Sequence, residues 1–573
     1  MPELQISRRP RVDDSHLPAE LHPVLKQIYA SRGISDPEQL SLGVAQLHKY
    51  DGMKGVQQAC DLLLTAMTQE QRIIIVGDFD ADGATSTSVC VLGLKMLGCR
   101  NVDFLVPNRF DYGYGLSPET VQLAADMGAE LIVTVDNGIS SIAGVAAARQ
   151  MGIKVLVTDH HLPGDTLPDA DAIVNPNQGD CGFPSKNLAG VGVAFYLLLA
   201  LRQQMQQQGL FSQTPPNLAN LLDIVALGTV ADVVPLDRNN RILVQQGISR
   251  IRAGRCRPGI QALIEVAGKN QQQLVASDLG FSLGPRLNAA GRLDEMSTGV
   301  ALLLCDDLPQ ARSLAVELDT LNRERKEIET GMQQEAIRTL QKIELNDQDL
   351  PTAICLYQED WHQGVIGLVA SRIKERYYRP TLAFASAGDG LIKGSARSIP
   401  GIHIRDMLER VDSQHPGMIT KFGGHAMAAG LSLAQTHFVE FQQALNQVVL
   451  EHITPETLQG AIVTDGEIPA QGFSLALAEQ LRFAGPWGQA FPEPMFDGKF
   501  KLLQHRIVGS KHLKMVLEPT SGGQAVDAIA FNVDLDCWPN PLIRQVELAY
   551  RLDINEFRGN RSVQLLVEQI TPA

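Results

Sequence analysis

The sequence contains no Cys-x-x-Cys pair. Its eight cysteines stand singly at 60, 90, 99, 181, 256, 305, 355 and 537. That removes zinc ribbons and dithiol redox centres, which need paired thiolates, and it suits a reducing cytosol. Long apolar runs are missing as well. None approaches the ~20 residues that cross a bilayer, and the opening MPELQISRRPRVDD has no apolar core of the kind a signal peptide carries. A soluble, cytoplasmic protein is the expectation. Positive charge is in deficit: 49 Lys and Arg face 64 Asp and Glu, a formal net charge of −15. The bulk charge therefore does not advertise the basic face of a nucleic-acid binder. A local basic groove and a carboxylate site filled by cations are both compatible with that total. No internal repeat and no low-complexity segment is present.

What is present is a long chain of ordinary globular composition. Its 573 residues, 44% hydrophobic and 20% charged, correspond to about three to five domains rather than to disorder. Residues 1–50 read as a short helical lead-in. From Arg72 the pattern changes. RIIIVG is a continuous apolar run, as in a strand buried on both faces of a parallel sheet. VDFLVP, ELIVTVDNG and KVLVTDHH read as further strands, with helical segments such as SPETVQLAADMG between them, the last opening on a Ser cap. This βαβα alternation predicts an α/β fold with a doubly wound parallel sheet. Residues 188–207 and 216–230 read as helices, and FSLGPRLNAAGRLDE at 281–295 as an ordered loop. Residues 308–343 are almost free of Gly and Pro and read as a long joining helix or a helical hairpin. A second α/β region begins near Thr352, with KFGGHAMAAGLSL as a Gly-rich loop, and the last segments alternate as in a small antiparallel barrel. The predicted domains are 1–50, 51–305, 306–345 (the connecting helix), 346–455 and 456–573.

Chemistry-bearing residues gather at the strand ends. Asp80 and Asp82 follow the first buried strand, Asp136 ends the third, His160 and His161 end the fourth, and Asp232 closes a helical segment in GTVADVV. Ligands of open α/β sheets lie beyond the carboxyl ends of the strands, so these loops converge. Carboxylates with imidazole and without thiolate favour Mn²⁺ or Mg²⁺. Four carboxylates in one place repel unless cations compensate, which points to two metals of the kind that clamp a phosphoryl displacement. Read as extended backbone, Asp80 and Asp82 point the same way and reach neighbouring ions. Asp78 is either a further ligand or a turn former. Asp159 reads as the group that orients a histidine. Any one of these aspartates alone would read as a helix cap or turn residue.

DFDADG, VTVDNG, VTDHH and GTVAD, in that order, resemble the four motifs of the DHH phosphoesterase superfamily, and GGHAMAAG resembles the signature loop of its companion substrate-binding domain, DHHA1. The resemblance covers the chain from about residue 50 onward. It implies a DHH catalytic domain, a DHHA1-type domain and an OB-like barrel, and it implies 5′→3′ exonucleolytic hydrolysis of single-stranded DNA with two Mn²⁺ or Mg²⁺ ions. Residue by residue, Asp80 would hold one metal, Asp82 the other, and Asp136 would bridge them. His160 and Asp232 would complete the second site, and His161 would contact the scissile phosphate or position water. Relatives with a histidine four residues before Asp80 differ from this chain, which has Val76 there; either the first metal is held more weakly or Asp78 substitutes. His425 is a further catalytic and substrate-binding candidate, its neighbouring glycines allowing close approach to a phosphate. Arg109, Ser371 and Arg372 are candidates for the strand's 5′ end, Tyr112 and Tyr114 for base stacking, and Arg286 and Asn288 for the cleft. His505, Arg506, Lys511, His512 and Lys514 form a basic stretch suited either to a DNA backbone or to a solvated face. A single-strand-binding protein and a helicase are the implied partners, in DNA repair and recombination.

Overall fold

The computed structural model describes residues 4–108, 112, 115–344, 350–454, 457–535, 537–557 and 559–573. The chain forms two compact units. One comprises residues 11–322 with 479–493, the other residues 1–10, 323–478 and 494–573. The predicted candidates Arg109 and Tyr114 lie outside the described residues.

After an N-terminal strand, β1 (Gln5–Arg8), the first unit is built on β2 (Ile73–Val76), β3 (Val102–Leu105), β4 (Leu131–Val135), β5 (Lys154–Thr158) and β6 (Ala172–Val174). All pair in parallel, in the order β3-β2-β4-β5-β6. Ile73, Ile74, Ile75 and Val76 are all fully buried, so both faces of β2 are covered. Ile74, Val76, Ile132, Val155 and Val157 pack with Val121 and Val145, which come from the helices Pro118–Asp126 and Ile142–Gln150. Ser117 caps the first of these, its side chain accepting from Thr120 N. The order reverses beside β2, the earliest strand of the sheet, with β3 on one side and β4 on the other. The crevice beyond the carboxyl ends of β2 and β4 is therefore the place where such sheets hold ligands.

The second unit carries β7 (Ile354–Tyr357), β8 (Thr381–Gly388), β9 (Leu391–Arg397), β10 (Ile419–Gly424) and β11 (Ala428–Ala434), in the order β10-β11-β9-β8-β7. A closed barrel follows. After β12 (Ala461–Thr464) come β13 (Phe496–Val508), β14 (His512–Pro519), β15 (Val526–Ala530), β16 (Gln545–Phe557) and β17 (Asn560–Pro572), closed as β13-β14-β15-β17-β16. A helix runs from Leu308 to Glu344 without a break, so the hairpin alternative falls away.

Four local expectations change. The lead-in is not simply helical: β1 pairs in parallel with β12, Gln5 opposite Ala461. The barrel is not wholly antiparallel, because β15 and β17 run parallel. KFGGHAMAAGLSL is a hairpin, β10 against β11, rather than a loop. Residues 279–293 are a π-helical turn, Leu279–Leu283, followed by the helix Gly284–Leu293. Pro285 follows the π-helical turn directly, and the glycines serve packing. A Cβ on Gly291 would lie 1.8 Å from the carbonyl oxygen of Phe79. Gly291→Ala is therefore expected to destabilise the first unit by roughly 1–3 kcal/mol and to displace the Phe79–Asp80 backbone. A melting curve with a parallel Mn²⁺ titration checks both effects.

Residues 479–493 return to the first unit as a strap. Tyr29, Trp487 and Phe491 stack in series at 6.1 and 5.2 Å, and the Arg241 guanidinium lies 4.2 Å over Phe491. Tyr29 Oη donates to Ala484 O, and Leu236 N donates to Gln489 O. The strap thus fastens the loop just after Asp232.

Candidate metal centre

β2 ends at Val76, and the chain turns through Asp78 into the helix Ala81–Met96. Asp80 is the N-cap of that helix, its Oδ1 accepting from Gly83 N at 3.0 Å. Asp82 lies in the first helical turn. This corrects the reading of the pair as extended backbone: strand-to-helix geometry, not alternation along a strand, sets their directions. Asp82 is buried and points at the start of another helix, Gly190–Gln207. Gly190 N and Val191 N donate to its two oxygens at 2.6 and 3.0 Å. Helix N-termini favour a carboxylate in this way. Gly190 also permits contact with the neighbouring ligand segment, since a Cβ there would lie 2.6 Å from Asp136 Cβ.

Asp136 follows β4 with φ +62°, a left-handed conformation that Asp and Asn tolerate better than most residues. Beyond β5, Asp159 accepts from His160 N, His161 N and the His161 ring, the last at 2.7 Å from Nδ1. Its other oxygen accepts from Ile139 N, so one carboxylate ties the β4 loop to the histidine loop. Asp159 contacts the ring of His161 and only the backbone of His160. Asp232 is the C-cap of the helix Leu222–Ala231.

These segments converge. His160 Nε2 lies 3.1 Å from Asp136 Oδ1, 3.5 Å from Asp232 Oδ2 and 3.9 Å from Asp82 Oδ2. Three triads bring their ligand atoms within 4.8 Å of one another: Asp78, Asp80 and Asp136; Asp82, His160 and Asp232; Asp136, His160 and His161. Asp136 is shared by the first and third, which is the arrangement of two adjoining sites.

The electrostatics are those of a cation site. Burial, and then the charge of Asp80, pushes Asp82 up to about 7, against its two amide donors. Burial and then the charge of Asp82 push Asp136 and Asp232 well above the usual carboxylate range. Burial, then neighbouring His161, pushes His160 down to about 4, so it stays in the neutral form that ligates. Burial opposes charging of His161, but the hydrogen bond to Asp159 and its charge outweigh it, and that imidazole is raised. Burial works the other way on Asp159, yet the bond and charge of His161 hold it low. Among the described residues Asp136 Oδ1, His160 Nε2 and Asp232 Oδ2 are buried without an aligned hydrogen-bond partner. Unsatisfied buried acceptors of this kind are costly unless something binds them. Hard oxygens and one or two imidazoles fit Mn²⁺ or Mg²⁺.

The other predicted residues are spread more widely. Asn288 Oδ1 accepts from Ala81 N at 2.8 Å, so it supports the turn between Asp80 and Asp82. The Arg286 guanidinium is taken up by Asp319 and by Ser282 O. In the second unit, Ser371 Oγ donates to Gly367 O, and Arg372 pairs with Glu329 at 3.0 Å and Glu375 at 3.3 Å. His425 is exposed between β10 and β11, and Tyr112 stands in a turn of the first unit. The basic stretch runs from β13 through the turn that holds Lys511 into β14, with Arg506 opposite Lys514. Several supports escaped the sequence reading. Asn137 Nδ2 donates to Val76 O and Val135 O, while Asn175 and Asn177 donate to the carbonyls of His161 and His160. Their one signal is position, each lying just after a strand of the parallel sheet.

Three family profiles match: the DHH family N-terminal domain over residues 72–229, the DHHA1 domain over 350–451 and the RecJ OB domain over 464–569. The single-stranded-DNA-specific exonuclease RecJ of Salmonella typhimurium is 60% identical over 571 residues, 99% of each chain. The Bacillus subtilis protein of the same name is 34% identical over 563 residues, 96% of this chain and 68% of that one. A crystal structure of RecJ in complex with Mn²⁺ from Thermus thermophilus superposes with a TM-score of 0.81 at 30% identity, over 100% of this chain and 80% of that one. With its parallel-sheet centre, mixed second sheet and closed barrel, the chain belongs to the RecJ family of single-stranded-DNA-specific exonucleases.

Proposed function

We propose that the protein is a metal-dependent 5′→3′ exonuclease that hydrolyses phosphodiester bonds of single-stranded DNA. The observation that carries this reading is the convergence of Asp78, Asp80, Asp82, Asp136, His160, His161 and Asp232 into overlapping triads at the carboxyl ends of a parallel sheet. Asp80 with Asp78 and Asp136 would hold one divalent cation, and Asp82, His160 and Asp232 with Asp136 a second, so Asp78 serves where Val76 cannot. When bound, such ions supply Lewis acidity and a water acidified enough to attack phosphorus. The protein's own groups then have separate tasks. Neutral His160 keeps a lone pair for ligation. Asp159 fixes the orientation of the His161 ring, which would face the scissile phosphate or the attacking water. Gly190 N and Val191 N hold Asp82 in one orientation.

The division of labour follows the predicted domains: residues 51–305 catalytic, 346–455 engaging the strand through Ser371, Arg372 and His425, and 456–573 gripping nucleic acid. Arg109 and Tyr114 are assigned to the 5′ end and to stacking. The reading implies a single-strand-binding protein and a helicase as partners, in the cytoplasm, in DNA repair and recombination. Digestion of 5′- and 3′-labelled single strands and duplexes with Mn²⁺, Mg²⁺ or chelator tests it. Mononucleotides should leave the 5′ end of single strands only, and only with metal. Loss of the 3′ label first, or undiminished cleavage in chelator, would overturn it.

A further inference from the structure

Three apolar side chains stand in solvent beside the ligand segments. Leu162, directly after His161, is 64% exposed; Val233, directly after Asp232, is 63% exposed; Phe281 is 85% exposed. Val233 has φ +62°, a strained conformation for a β-branched residue. Its exposed side chain gains nothing from core packing there, and such strain is typically kept where a site needs it. Phe281 is at the centre of the π-helical turn Leu279–Leu283, a local structure frequent at functional positions. That turn rests on the end of the helix that delivers Asp232. A Cβ on Gly280 would lie 3.1 Å from Val230 Cγ1, and one on Gly284 would lie 3.1 Å from Ala231 Cβ. Asp232 is the next residue. A bare aromatic ring is thus carried on a turn packed against the helix that ends at Asp232.

We propose that Phe281, with Val233 beside the same ligand segment, is an apolar ledge that stacks on a nucleobase flanking the scissile phosphate. This rests on the exonuclease reading above. The carboxylates and imidazoles, with their cations, account for a phosphodiester and for nothing else of a nucleotide. An aromatic face takes up any base, because every base has a π-face. A strand held only through its phosphates could slide, whereas a stacked base fixes which phosphate faces the ligands.

The test uses the full chain with Mn²⁺ on single strands that are intact or carry abasic residues at the terminal positions. The wild type should prefer the intact strand roughly tenfold or more, the equivalent of one stacking contact. Phe281→Ala should lose most of that preference, the loss appearing in KM, with melting temperature and Mn²⁺ binding unaltered. Phe281→Trp should retain the preference. Phe281→Leu, which keeps apolar bulk but no π-face, should behave like alanine and serves if alanine perturbs the fold. Full preference for bases in the alanine or leucine variant, or none in an active wild type, would overturn the ledge alone. A wild type inactive on every single strand would overturn the exonuclease reading and the ledge with it.

Discussion

Replacing Asp136 with asparagine is expected to lower single-strand hydrolysis by at least about 10³-fold, the effect of losing a few kcal/mol of metal-dependent stabilisation. Asparagine is the informative substitution. It keeps the shape of the side chain and tolerates φ +62°, whereas alanine would add backbone strain to the loss of charge. The same change should raise the melting temperature of the metal-free protein at alkaline pH, where the carboxyls are ionised. Asp136 is buried against Asp82, Asp80, Asp232 and Asp78, and their mutual repulsion is a cause of its raised pKa. Neutralising one member relieves that repulsion. Activity and stability therefore move in opposite directions, which general misfolding cannot imitate. Binding of single-stranded DNA should survive in large part. An Asp136→Asn protein that cuts at the wild-type rate with metal bound would remove Asp136 from the centre of the site.

The second large effect is a dependence of metal-free stability on pH. Asp82 stands near 7 in the folded chain against an ordinary value of 3.8, and Asp136 and Asp232 are raised in the same direction. A raised carboxylate binds more protons folded than unfolded, so its contribution is lost as pH rises toward the folded pKa. His161, also raised from 6.5, loses its contribution as pH rises through its folded value. His160 opposes this below 6.5, because it is depressed to about 4 and stays neutral in the fold while the unfolded imidazole charges. The window is therefore about pH 6.5 to 7, where Asp82 and the other raised groups act together while the opposing effect of His160 fades above its ordinary value of 6.5. Metal-free protein should lose about 1.4 kcal/mol per pH unit for each proton so released. Excess Mn²⁺ should stabilise the fold most at the alkaline end, where ligands need not be deprotonated to bind it. Denaturant melts in chelator and in Mn²⁺ across the window measure both. A flat metal-free profile, or stabilisation by Mn²⁺ that is greatest at pH 6.5, would contradict the cluster's electrostatics.

Much of the site was legible because its signals are local. Four consecutive apolar residues, Ile73 to Val76, announce a strand covered on both faces, and they are fully buried in β2. Ser117 before a proline announces a cap, and it caps. Aspartates and histidines placed just after such strands announce ligands, since sheet topology gathers strand ends. The misread segments share a different trait. Gly284 to Leu293 looks like a loop by composition, yet Gly291 is small so that a helix can touch the Phe79 carbonyl. The GGH segment looks like a loop, yet it pairs as a hairpin with Gly423 opposite Gly430. A glycine demanded by a neighbour and a glycine demanded by a turn are spelled the same.

The sequence by itself determined the strand–helix alternation, the ligand residues and their order, because hydrophobic period and side-chain chemistry are properties of short stretches. The tertiary structure alone decided the rest. It seated Asp82 on the amides of Gly190 and Val191, more than a hundred positions away. It set Asn288 under the Asp80–Asp82 turn, paired β1 with β12, and laid the 479–493 strap over the loop after Asp232. These are pairings of backbone groups and ring faces that every residue or any aromatic could make. Nothing in a residue's identity names its partner, and only closure of the fold selects one.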